Sequence, residues 1–77
     1  MDISLADVLI HIDENLSPEQ RAVVEQQLRG VEGVVSVHNP DDRPHLTIVE
    51  YRPDRTNAQA LLEGVRGRGV TAELVGL

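Results

Sequence analysis

Residues Leu16–Val34 read LSPEQRAVVEQQLRGVEGV, a capped helix that hands the chain to a strand. Ser17, Pro18 and Gln20 make an S-x-x-Q capping box: the Ser17 hydroxyl is placed to accept from the Gln20 amide, and proline brings a preset φ to the first helical position. The helix is therefore predicted to begin at Pro18. Val24, Leu28 and Val31 recur at i, i+4 and i+7 as one apolar stripe, with Arg21, Glu25, Gln26 and Arg29 off it. Gly30 and Gly33 flank its end, where glycine takes a left-handed or closely packed backbone at least cost. The β-branched run from Val34 to His38 then predicts a strand.

Working outward, Val8, Ile10 and Ile12 alternate with Asp7, Leu9, His11 and Asp13, the period-2 pattern of a strand with one face on a core. Asp13 to Leu16 forms the turn into the helix. On the other side, Asn39–Pro44 (NPDDRP) is dense in turn formers and predicts a hairpin whose return strand is His45 to Tyr51, ended by Pro53. Thr56 and Gln59 repeat the capping-box pattern. Ala58, Leu61, Leu62 and Val65 give a second amphipathic helix that ends in Gly67 and Gly69. Val70 to Leu77 reads as a last strand. The order β-α-β-β-α-β is the α+β, ferredoxin-like sandwich: a four-stranded antiparallel sheet with two helices on one face and the other face open, here read as one domain over residues 1–77.

Composition narrows the function. The chain has no cysteine, which excludes disulfides, thiolate metal sites and thiol catalysis. Tyr51 is its one aromatic residue, so the core must be aliphatic. A net charge of −6 and the missing aromatic faces argue against nucleic acid, and the same charge argues against anionic membrane surfaces. The N-terminal MDISLADV lacks a basic region and an apolar core, and no long apolar run follows. Neither a signal peptide nor a membrane span is expected, and the default location is cytoplasmic.

The runs VEQQLRGVEGVVSVH and TIVEYRPDRTNAQALLEGVRGRGVTAELV carry a resemblance. V-E-x-x-L before G-V, V-x-Y with Pro53 two residues later, L-L-E, and a closing G-V-x-A-x-L-V make the chain similar to the heavy-metal-associated domain of copper chaperones and metal-transporting ATPases. These are mostly packing positions, so they speak to fold more than to function. The resemblance implies a metal held by a Cys-x-x-Cys pair at the start of the first helix. Counting back from Val24 and Glu25 puts Ser17 and Gln20 at those two positions, with Glu14, Asn15 and Leu16 in place of the usual Gly, Met and Thr. A hydroxyl and an amide are poor ligands for Cu(I), which takes soft sulfur, and are good helix caps. No cofactor is expected, and Cu(I) held by thiolates is ruled out.

In the ferredoxin-like topology the loops Asp13–Ser17, Asn39–Pro44 and Arg66–Gly69 share one end of the sheet. Carboxylates of Asp13, Glu14, Glu19, Asp41 and Asp42 can gather there near His38 and His45. The candidate metal ligands are therefore His38, His45, Asp13 and Glu14, suited to Zn²⁺ or Ni²⁺ through imidazole and carboxylate, or to Ca²⁺ through oxygen alone. Whether His38 and His45 meet across their hairpin depends on strand register. Arg66 and Arg68 are expected to compensate the helix dipole or to pair with the acidic first loop. No arrangement of nucleophile, base and orienting group is present, so no enzyme is expected.

If Val8, Ile10, Ile12, Thr47, Val49, Tyr51, Ala72 and Leu74 face the helices, then Leu9, His11, Leu46, Ile48 and Val75 lie on the open face. That surface predicts a protein partner or a homodimer. The leading expectation is a non-enzymatic binding module acting through this face. The rival is a metal carrier or sensor that uses His and carboxylate in place of Cys.

Overall fold

The structure, a computed structural model, describes residues 4–75. Its elements follow the expected order: β1 (Ala6–Ile12), α1 (Pro18–Arg29), β2 (Val34–His38), β3 (Leu46–Tyr51), α2 (Ala58–Arg66) and β4 (Ala72–Val75). Gly76 and Leu77, the end of the predicted last strand, lie outside the described residues. The four strands form one sheet in the order β2-β3-β1-β4, every neighbouring pair antiparallel. This is the ferredoxin-like βαββαβ arrangement.

Helix α1 begins at Pro18, as its cap dictates. Ser17 Oγ accepts from the Gln20 amide while Gln20 returns the bond to the Ser17 amide, so two of the orphan donors at the helix start are satisfied reciprocally. Val24 and Leu28 are its buried residues. The helix stops at Arg29, two residues before Val31, which packs on the core from the following turn. Gly30 keeps right-handed backbone, and the positive φ falls on Gly33, at +99°. A Cβ at Gly33 would stand 2.6 Å from the Arg55 Cβ, so this turn is closed to any side chain.

The second helix corrects the sequence reading of its cap. Asn57, not Thr56, is the N-cap, and its side chain accepts from the Ala60 amide at 2.8 Å. Gln59 does not reach back to the cap; it donates to Glu63 one turn on. Asparagine is as good a cap as threonine or better, and here it falls one residue before the apolar stripe begins.

The helices cover one side of the sheet. Ile10, Val49, Leu28, Leu61 and Val65 are fully buried between the layers, joined by Val8, Ile12, Thr47, Tyr51 and Ala72. Alternation thus places the inward residues as expected, with one exception. Leu74 pairs with Ile10 and yet is 39% exposed, because β4 is an edge strand whose outer flank the helix layer leaves uncovered. In β2 the clash of two consecutive valines is resolved by an irregularity in register between Val34 and Ser36. Val34 stays partly buried and Val35 turns outward.

Candidate functional site

At the start of α1, where the resemblance implies a metal-binding pair, the side chains are already committed to each other. The Ser17 amide donates to Gln20 Oε1 at 2.8 Å and the Gln20 amide donates to Ser17 Oγ at 3.1 Å. Beside this cap lies a shallow hollow of about 150 Å³ lined by Leu16, Gln20, Val23, Val24, Arg68 and Val70. Apolar walls with one amide and one guanidinium offer nothing to a soft cation, so these residues do not fit Cu(I).

The neighbouring carboxylate is also in use. Both Glu14 oxygens accept from the Thr71 amide, at 2.9 and 3.0 Å, while the Asp13 amide donates to the Thr71 carbonyl at 2.9 Å. These bonds clip the end of β1 to the start of β4. The Thr71 N–H stabilises the charged form of Glu14 and holds its carboxyl below the usual range. Arg66 and Arg68 do not pair with this acidic loop: Arg66 donates to the Ala72 carbonyl and reaches Glu63, and Arg68 reaches Gln27.

Of the four expected metal ligands, the structure brings only Asp13 into a cluster of possible ligands. His38 stands opposite Ile48 in the β2–β3 pair, so it does not meet His45 across the hairpin. His45 precedes β3, with its Nδ1 2.7 Å from the Ile12 carbonyl and its ring stacked on that of His11 at 5.7 Å between centroids and 19° between planes.

The cluster itself is His11, Asp13 and Glu73, whose nearest possible ligand atoms all lie within 4.8 Å of one another. His11 Nδ1 is 3.0 Å from Asp13 Oδ1 and 3.7 Å from Glu73 Oε1. That nitrogen is buried but lacks a properly directed hydrogen bond. Two features of the sequence build the group. Alternation carries His11 and Asp13 to the same side of the sheet, and antiparallel register sets Glu73 directly across from His11. The first was visible in the I-H-I-D pattern. The second requires the β1–β4 register, which no local motif encodes.

The uncovered side of the sheet can be read row by row. Val75, Leu9, Ile48 and His38 form one cross-strand row. Glu73, His11 and Leu46 form the next, and Asp7, Glu50 and Ser36 lie on the opposite flank. Leu9, Leu46 and Ile48 are half-buried by their neighbours, and Val75 is exposed. The expected surface is therefore an apolar stripe with acidic residues on both sides.

No family model matches the sequence, and no curated protein does. Solved structures match its shape. The N-terminal domain of a potential copper-translocating P-type ATPase from Bacillus subtilis, in the Cu(I)-loaded state, has a TM-score of 0.84 at 22% identity over 95% of this chain and 90% of that one. Oxidised MerP from Ralstonia metallidurans CH34 gives 0.83 at 16% identity, over 95% of this chain and 100% of that one. The yeast copper transporter domain Ccc2a gives 0.80 at 17% identity, over 91% and 94%. The chain thus has the fold of heavy-metal-associated domains. At these identities the likeness fixes the architecture, and the binding chemistry must be argued from the residues present. Among the described residues, no helix is long and apolar enough to cross a membrane.

Proposed function

We propose that this domain is a non-enzymatic binding module that keeps the scaffold of a metal-binding fold and works through the uncovered face of its sheet. The partner is a protein surface with an apolar stripe bordered by lysine or arginine. The observation that carries this reading is the direct opposition of Asp7 and Glu50 beside the Val75–Leu9–Ile48 row. Like charges facing each other across a strand pair destabilise a sheet, and a cationic partner relieves them as it covers the apolar row. The same pattern disfavours a second copy of the chain, which would bring acid against acid. A homodimer is therefore an outcome of the test and not the reading itself.

A synthetic peptide of alternating valine and lysine is a suitable probe, followed by amide shift mapping. Shifts centred on Leu9, Ile48 and Val75 that weaken in 0.5 M salt, on the order expected for exposed charges, support the reading. Shifts confined to the helices, or self-association on concentration, overturn it.

A second reading is favoured by one specific observation, the His11–Asp13–Glu73 group. In it the domain carries or senses an ion harder than Cu(I) through imidazole and carboxylate.

A further inference from the structure

We infer that His11, Asp13 and Glu73 form a site for one divalent ion of the zinc or nickel class, on the β1–β4 side of the open face. The inference rests on the second reading and assigns its ligands. Ligands about 2.0–2.2 Å from a shared ion stand roughly 3–3.5 Å from each other. His11 Nδ1 and Asp13 Oδ1 already have that separation at 3.0 Å, and Glu73 Oε1 at 3.7 Å needs only a small swing. Glu73 has the freedom to make it, its side chain being 67% exposed.

Three further features favour an ion over an ordinary acidic surface. First, His11 Nδ1 is a buried ring nitrogen without a directed hydrogen bond, although two carboxylates stand beside it. Second, among the described residues neither Asp13 nor Glu73 is paired with arginine, while Glu25, Glu32, Asp54 and Glu63 are. Third, the His11 ring is held from outside the group. His45 stacks on it and is itself anchored to the Ile12 carbonyl, so the ring that presents Nδ1 is oriented in advance. His45 is thus a positioning residue, which differs from the ligand role the sequence suggested.

The donor set selects the ion. One imidazole nitrogen and two carboxylates suit zinc, which accepts three protein ligands and a water, and suit nickel. Calcium needs six to eight oxygens and copper(I) needs sulfur; neither is offered. Because Glu73 comes from the edge strand, an ion here also ties β4 to β1.

The test is a titration of the full, untagged chain with zinc chloride, read by calorimetry and by amide and imidazole shifts. The expected result is one ion per chain, with shifts at residues 11–13 and 72–74. His11→Gln and Glu73→Gln should each weaken binding by about tenfold or more, while His38→Gln leaves it within about twofold. Glu73→Gln alters an exposed side chain, so a folded variant is available whatever His11→Gln does to the strand. Zinc binding that survives both substitutions and is lost with His38→Gln overturns the ligand assignment and leaves the second reading standing. Calcium moving the same residues as strongly as zinc overturns the ion class. Unchanged spectra at millimolar zinc overturn the assignment and the second reading together.

Discussion

Asp7 and Glu50 face each other directly across the β1–β3 pair, on the side of the sheet that carries no helix. Neither makes an ion pair among the described residues. Replacing one of them by a cation converts repulsion into attraction. Glu50→Lys should therefore stabilise the domain by roughly 0.2–1 kcal/mol in low salt, measured by urea denaturation. The same substitution should weaken the valine–lysine peptide, since it removes one of the two acids on that flank of the apolar row. Greater stability together with stronger peptide binding would separate the apolar row from the charges and undo the proposed recognition.

The reciprocal bonds between Ser17 and Gln20 make a second prediction. Ser17→Ala removes the acceptor for the Gln20 amide and should cost about 1 kcal/mol, which for a domain of this size is roughly 4–8 °C in Tm. Gln20→Ala should cost less, because the Ser17 amide that it frees is exposed to water. Equal stability of Ser17→Ala and the parent would mean that these residues do not nucleate the helix.

Glu14 sets a pH dependence whose sign follows from its lowered pKa. The Thr71 amide favours the carboxylate, so the stability it contributes is fully present above the ordinary value of 4.5 and is lost as pH falls through the lower folded value. With EDTA present, Glu14→Gln should be less stable than the parent near neutral pH, and the difference should narrow as the pH drops below that value. A difference that widens on acidification would show that the Glu14–Thr71 clip is not formed in solution.

Gly33 tests the turn after α1. Its φ of +99° and the 2.6 Å approach of the Arg55 Cβ leave no room for a methyl group. Gly33→Ala should lose at least about 1 kcal/mol, seen as a lower midpoint with an unchanged urea dependence. Gly69, also at positive φ but with open space around it, should tolerate alanine better.

The elements were legible because each announces itself locally: a capping box at Ser17, turn formers at Asn39–Pro44, and period-2 alternation in β1. Errors arose where two local signals competed. Thr56 and Asn57 are both competent caps, and the choice between them depends on where the helix meets the core. The open face was also legible, since alternation alone assigns Leu9 and Ile48 to it. The His11 cluster was only half legible. Its members come from strands separated by most of the chain, and pairing β1 with β4 one residue out of register would send Glu73 to the other face. The expected set of His38, His45, Asp13 and Glu14 shares only Asp13 with this group, because no local signal shows that Thr71 occupies Glu14 or that His45 stacks its ring on His11.

We propose that binding on this scaffold belongs to the sheet face and not to the mouth of α1. The most direct measurement is an anaerobic Cu(I) titration followed by backbone amide shifts, with the double variant Ser17→Cys/Gln20→Cys as the reference that restores the sulfur pair. The parent should show no shifts over residues 14–20 at one equivalent of Cu(I), whereas the double variant takes up the ion there. Stoichiometric Cu(I) uptake by the parent, with residues 17–20 moving, would return the binding site to the mouth of α1.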